Sequence, residues 1–132
     1  MVLDTSALLV VLLNEPDAPA FRLAIEADPV RLVSAATLVE TAIVIEARVG
    51  EAGGRELDLL VHKASIEIVA VDAEHADIAR HAYRQFGEGR HAAGLNYGDC
   101  FSYALAHAAG EPLLFRGNDF SQTDITPVEL SQ

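Results

Sequence analysis

Four acidic side chains in this 132-residue chain stand where chemistry can be built, and their neighbours set what kind. Asp4 follows the apolar start Met1-Val2-Leu3. Glu40 lies in Thr37-Leu-Val-Glu-Thr41, Asp99 in Asn96-Tyr-Gly-Asp-Cys100, and Asp119 in Leu113-Leu-Phe-Arg-Gly-Asn-Asp-Phe120. If the four carboxylates converge, they repel one another unless cations neutralise them. An all-oxygen donor set suits hard divalent cations, so Mg²⁺ or Mn²⁺ fits better than zinc. No cysteine–histidine cluster at zinc spacing competes, since Cys100 is the one cysteine. A divalent cation there would lower the pKa of a water and clamp phosphate oxygens, which is chemistry for in-line attack on a phosphodiester.

Each acid also has a plainer role. Asp4-Thr5-Ser6 offers three helix-capping residues, and Thr37 to Glu40 matches the capping-box pattern. Asn96 to Asp99 has the related cap-and-acid spacing, and Asp119 after Gly117-Asn118 suits a turn. Taken singly, none of them identifies a site.

The elements that must position them alternate between short apolar runs and segments at helical spacing. Strands are predicted at Val2–Leu3, Arg31–Ser34, Ile66–Val71 and Pro112–Phe115, with a short fifth around Ile125–Val128. Helices are predicted at Ser6–Leu13, Asp17–Ala27, Ala36–Val49, Gly53–Ser65, Ala73–Phe86 and Asp99–Ala109. Residues 87–98, with four glycines, are predicted to be a loop. This order implies right-handed crossovers and an α/β fold of three layers, α/β/α, around a mainly parallel sheet of four to five strands. In such a sheet, sites form beyond the carboxyl ends of the strands. Asp4 ends the first strand, Glu40 lies about one turn into the helix after the second, Asp99 opens the helix before the fourth, and Asp119 lies just past it.

A chain of this length with 51% hydrophobic residues is expected to form one domain spanning residues 1–132. Nine basic residues against twenty acidic ones give a net charge of −11, which argues against attachment to nucleic acid or anionic membrane through an overall positive field. A local basic groove is still compatible with that sum. The lone cysteine allows no internal disulfide, the N-terminus lacks a basic leader, and Ala7–Leu13 is too short to span a bilayer. A cytoplasmic location without membrane attachment is the expectation.

In the second half, Arg80 and Arg84 stand one turn apart, Arg90-His91 comes just before Asp99, and Arg116 follows. Arg90, His91 and Arg116 are the candidates to touch a nucleic-acid backbone; a solvated helix face pairing with Asp77 and Glu88 explains Arg80 and Arg84 as well. Tyr97, Phe101 and Tyr103 could stack on bases, although core packing accounts for them equally. His62, His75 and His107 are expected to be surface or packing residues, and Cys100 an inert thiol. Other phosphate chemistries fail on residues. A haloacid-dehalogenase site needs a second aspartate two after Asp4, where Ser6 stands. A receiver domain needs a late lysine, whereas the only lysine is Lys63, and no Gly-Lys-Ser/Thr makes a P-loop.

Asp4-Thr5-Ser6-Ala7, Glu40 in Leu-Val-Glu-Thr, Asn96-Tyr-Gly-Asp99-Cys before a small-residue helix, and Asp119 after Leu-Leu-Phe-Arg-Gly-Asn together resemble the PIN-domain ribonucleases. Within them the chain is most similar to the VapC toxins of bacterial type II toxin–antitoxin modules, over nearly its whole length. The resemblance implies a PIN-like domain and an endoribonuclease dependent on Mg²⁺ or Mn²⁺, usually a homodimer, held inactive by a VapB-type antitoxin. It assigns Asp4, Glu40, Asp99 and Asp119 as the acidic quartet, with Asp124 as an alternative to Asp119 and Thr5 and Ser6 as supporting hydroxyls. Asp4, Asp99 and Asp119 would hold the metal and Glu40 would orient water or a second metal. The RNA would be cut to 5′-phosphate and 3′-hydroxyl ends. Surplus aliphatic surface from Ile43 to Val61 would suit an antitoxin helix. The alternative reading is a PIN-like domain that binds RNA or a partner without turnover.

Overall fold

The computed structural model describes residues 1–131. Four parallel strands, β1 (Val2–Leu3), β2 (Leu32–Ser34), β3 (Glu67–Val69) and β4 (Leu113–Leu114), lie in the order β3-β2-β1-β4. Around them pack α1 (Thr5–Leu12), α2 (Ala18–Ala27), α3 (Ala35–Val49), α4 (Glu51–Lys63), α5 (Ala73–Phe86) and α6 (Tyr97–Ala109). Chain order leaves β1 through α1 and α2 to reach β2, then returns across the sheet to place β4 on the other side of β1. The order therefore reverses at β1, and that switch is where an open parallel sheet leaves a crevice at its carboxyl ends.

Even two-residue strands show the pleat, because successive side chains point to opposite faces. Val2 and Leu113 face one apolar cluster with Ala82, Phe86, Leu95, Tyr103, Ala104 and Phe120, built mainly from α5 and α6. Leu3 and Leu114 face the other, with Met1, Leu8, Phe21, Ile25 and Ile66, built mainly from α1 and α2. Two cores on either side of one sheet make the three layers expected from the sequence. Among the described residues, no helix is long and apolar enough to cross a membrane.

The differences from expectation lie at element ends. The fifth strand contracts to one parallel rung, in which Leu113 N–H donates to the Thr126 carbonyl and Val128 N–H to the Leu113 carbonyl, both at 2.9 Å. Pro127 brings no N–H and β4 offers only two residues, so the ladder stops. Helix α4 starts at Glu51 rather than Gly53, with Gly50 at φ 78° serving as the joint with α3. Gly53 instead sits inside the helix, where a Cβ would meet Val49 Cγ2 at 2.6 Å and Ile45 Cγ1 at 2.8 Å. It is the contact that lets α3 and α4 approach. The glycine-rich stretch is folded, with a bridge from Gly87 to Leu95 and with Ala93 and Leu95 buried.

Candidate active site

Asp4 leaves β1 in extended backbone, its N–H donating to the Leu114 carbonyl of β4 at 3.0 Å. It caps α1 as its sequence suggested, with Oδ2 accepting from the Ser6 amide at 3.1 Å and the Ser6 hydroxyl at 2.7 Å. Capping uses only that oxygen. Oδ1 accepts from the Ser102 hydroxyl of α6 at 2.6 Å, and Ser102 lies 3.2 Å from the Thr37 hydroxyl on α3. The Ser6 hydroxyl oxygen in turn accepts from the Arg116 amide, just past β4, at 2.9 Å. Asp4 is only 4% exposed, so this carboxylate is held from β1, α1, α6 and the exit of β4 at once. Removing one partner of a buried acceptor costs about 1–3 kcal/mol. Ser102→Ala is accordingly expected to lower unfolding free energy by about that amount in urea titration, and an unchanged midpoint would show that the bond contributes nothing.

Glu40 reaches the same region through hydroxyls. Thr5 donates to Glu40 Oε1 at 2.6 Å, and Thr41, one residue along α3, lies 3.1 Å from the Thr5 hydroxyl. Thr41 can also donate to the Thr37 carbonyl of its own helix at 2.8 Å. The expected Thr37–Glu40 capping box does not form. Ser34 caps α3 three residues before Thr37, which puts Glu40 in the second turn and Thr37 in the buried interior. On the far side, a Cβ built on Gly98 would come within 1.9 Å of Glu40 Oε2. Position 98 is thus a glycine because the carboxylate occupies the space a side chain would need. Gly98→Ala is expected to fold, since the far end of Glu40 can swing away, yet to break the Thr5 bond and move the carboxylate. A variant with an unchanged melt and at least a tenfold loss of turnover, the lower end for removing a supporting contact, is the expected result; unchanged turnover would show that Glu40 needs no fixed position.

Asp99 is the third residue of α6 and completes a capping box: Asn96 Oδ1 accepts from the Asp99 amide at 2.9 Å, and Asp99 Oδ2 accepts from the Asn96 amide at 3.0 Å. Here the cap and the acid of the sequence reading are the same residue. Burial pushes the Asp99 carboxyl up to about 7; the Asn96 amide opposes this, while the charges of Asp4 and Asp119 and a carboxyl–carboxyl hydrogen bond with Asp119 add to it. Asp119 lies on the exposed loop between β4 and the short turn Phe120–Gln122, so this pair closes the site from the β4 side. Neighbouring Cys100 is buried, and burial followed by the Asp99 charge raises its thiol to about 11, which leaves it inert.

The remaining sequence candidates separate. Asp124 accepts from the Tyr103 hydroxyl at 2.6 Å and is tied there. Arg116 contributes its amide to Ser6, but its side chain pairs with Asp17 at 3.4 Å on the surface. His91 uses Nδ1 to accept from the Ala93 amide at 3.0 Å and sets its ring edge against Phe86, so it shapes its own loop. Arg90 is exposed. Thr37, Thr41, Ser102 and Gly98 were missed. A readable signal existed for two of them: Thr37 precedes Glu40 by three positions and Ser102 follows Asp99 by three, so each hydroxyl shares a helix face with an acid.

The donor set can be tested against a hard cation. None of the four acids has a cationic side chain as ion-pair partner among the described residues, whose pairs involve Met1, His81 and Arg116 only. Among the described residues, no group of three or more His, Cys, Asp or Glu side chains stands close enough together to hold a metal ion on its own. Uncompensated carboxylates in an open arrangement match Mg²⁺, which keeps several waters and takes one or two carboxylates plus substrate phosphate.

Comparison with known proteins gives a consistent result. A family model described as the PIN domain matches residues 1–125. The chain is 62% identical over 130 residues to "Ribonuclease VapC30" of Mycobacterium tuberculosis, covering 98% of this chain and 99% of that protein. It is 62% identical over 128 residues to "Ribonuclease VapC" of Mycolicibacterium smegmatis, covering 97% and 99%. The solved structure of M. tuberculosis VapC20, described as a sarcin-ricin loop cleaving toxin, superposes with a TM-score of 0.79 at 17% identity over 96% of this chain and 97% of that one. VapBC2 from Rickettsia felis gives 0.75 at 17% identity, covering 98% of each chain. At such identity these two likenesses speak to the fold.

Proposed function

This chain belongs to the PIN domain family, in its VapC ribonuclease branch, and on that premise we propose that it is a divalent-metal-dependent endoribonuclease serving as the toxin of a VapBC-type pair. The observation that carries the reading is the gathering of carboxylates without cationic partners at the strand-order switch, where burial first, and the charges of Asp4 and Asp119 after it, raise the Asp99 carboxyl to about 7. Asp4, Asp99 and Asp119 would hold Mg²⁺ or Mn²⁺. When bound, such an ion supplies a water of lowered pKa and charge compensation for the phosphate. The chain's own residues do the positioning. Ser6 and Ser102 keep the two oxygens of Asp4 aimed by donating one hydroxyl to each. Thr5 and Gly98 set Glu40, which would orient the attacking water or a second metal. Asn96 fixes Asp99 through the cap, so the helix that carries the acid also locks its rotamer.

The partner side of the reading rests on α3 and α4, where Val39, Ile43, Val49 and Leu59 are 58%, 62%, 51% and 45% exposed. Four aliphatics in water across one helix pair fit the apolar face of a VapB-type antitoxin helix. Homodimerisation and a cytoplasmic location belong to the same proposal. The direct test is cleavage of total bacterial RNA by antitoxin-free protein with Mg²⁺, Mn²⁺ or EDTA. Discrete fragments with 5′-phosphate ends, absent with EDTA and restored by the metal, are expected. No metal-dependent fragment from any RNA class, despite measured Mn²⁺ binding, would overturn the reading in favour of a silent binder.

A further inference from the structure

The α5 helix, the glycine-rich loop and the first turns of α6 enclose an open groove of about 660 Å³. Arg80, Arg84 and Arg90 line it, against the single acid Glu88. Three of nine basic residues facing one groove, on a chain of net charge −11, is a local reversal of sign. None of the three guanidinium groups has a carboxylate partner among the described residues, so the surface ion-pair explanation for Arg80 and Arg84 does not hold. The same groove holds Tyr97, which at 79% is the most exposed of the chain's large apolar side chains. Phe101, one turn on, braces it edge-on with ring centroids 4.9 Å apart at 78°. So exposed a ring is not explained by core packing. Tyr97 is two residues from Asp99 in the same helical turn, and Gly98 between them touches Glu40.

Unpaired guanidinium groups beside a braced aromatic face match the chemistry of a single RNA strand: phosphates for the arginines, a base for the ring. A base inside a duplex is covered on both faces by its neighbours and cannot offer one to Tyr97. We propose that this groove holds the unpaired RNA strand next to the cut, with a base stacked on Tyr97 and its phosphates on Arg80, Arg84 and Arg90. The proposal rests on the ribonuclease reading and adds to it which residues hold the strand. Tyr97 is then a substrate-positioning residue, and the negative net charge is no obstacle because attraction is local to the groove.

The test measures binding of a fluorescein-labelled oligouridylate of about ten nucleotides. It uses fluorescence anisotropy in Mg²⁺, in an Asp99→Asn background that leaves the RNA uncut. Tyr97→Ala is expected to weaken binding about 5- to 150-fold, the worth of one stacked base, whereas Tyr97→Phe retains it. Arg80→Ala and Arg84→Ala should each lower the slope of log affinity against log salt by roughly 0.7. A fully paired RNA should bind the Tyr97→Ala and parent proteins alike. Both kinds of variant binding oligouridylate as the parent does, with an unchanged salt slope, would overturn the groove assignment; metal-dependent cleavage by the unmodified chain would meanwhile keep the ribonuclease reading intact. Variants that shift the monomer–dimer balance in sedimentation, with unchanged RNA affinity per protomer, would show instead that a second copy of the chain covers this face.

Discussion

Asp99→Asn is expected to lose RNA cleavage by on the order of 10³-fold, the equivalent of several kcal/mol of charge stabilisation, while the metal-free protein melts at a higher temperature at pH 8. The two effects have one origin. A carboxyl whose pKa rises from 3.8 to about 7 on folding is one whose charged form the fold disfavours. Its unfavourable contribution is absent below the unfolded value, grows as pH rises through the interval, and is complete above about 7. Asparagine carries no charge, so it escapes that contribution. Its carbonyl can still accept from the Asn96 amide, preserving the cap, and its amide can donate to Asp119 where two carboxylates now face each other. Allowing for solvent screening at a partly exposed site, the gain is about 1–2 kcal/mol, or roughly 3–8 °C in a domain of this size. Thermal melts in EDTA at about pH 4 and pH 8 check it, since the gain must vanish at the acid end. A variant melting below the parent at pH 8 would mean the carboxylate is not under electrostatic strain there, and the site's claim on a cation would lose its support.

The fold was legible in the sequence because its signals are local. Apolar runs of two to four residues separated by amphipathic stretches say α/β, and the Asn96–Asp99 cap-and-acid spacing is realised as a capping box, with the helix starting at Tyr97 rather than Asp99. The acids were legible as blocks in a known order, and Asp4 and Asp99 stand where those blocks imply. What the sequence did not show is long-range. That Thr5 supports Glu40, or that Ser102 reaches Asp4 across ninety-eight positions, depends on which helix crosses which strand. Gly98 reads as a flexible element of a glycine-rich stretch until Glu40 is seen filling its side-chain space. Thr37 was misread for the opposite reason: a local capping pattern was present, but Ser34 at the end of β2 captured the cap first. Asp119 and Asp124 were indistinguishable by spacing, and only the Tyr103 hydroxyl separates them.

Cleavage at limiting Mg²⁺ should climb close to tenfold per pH unit below about 7 and lose that dependence above it, if the acidic pair holds the ion as proposed. The sign follows from competition. Asp99, raised to about 7, holds a proton at pH 6 that a cation must expel before the carboxylate can serve it, and each unit of pH makes that exchange tenfold more favourable. Raising the Mg²⁺ concentration should move the midpoint to lower pH, as expected when metal and proton contend for one site. The midpoint belongs to the pair, so it must respond to either member. Asp119→Asn removes one charge and the carboxyl–carboxyl contact; the midpoint should fall even as the maximal rate drops. This separates the pair from the intrinsic rise in rate expected of any reaction that uses a deprotonated water, which Asp119→Asn would leave in place. Initial rates from about pH 5.5 to 8.5 at two Mg²⁺ concentrations, for the parent and for Asp119→Asn, decide the matter. A midpoint indifferent to both magnesium and Asp119 would detach the Asp99–Asp119 pair from the metal and leave Asp4 and Glu40 to account for catalysis.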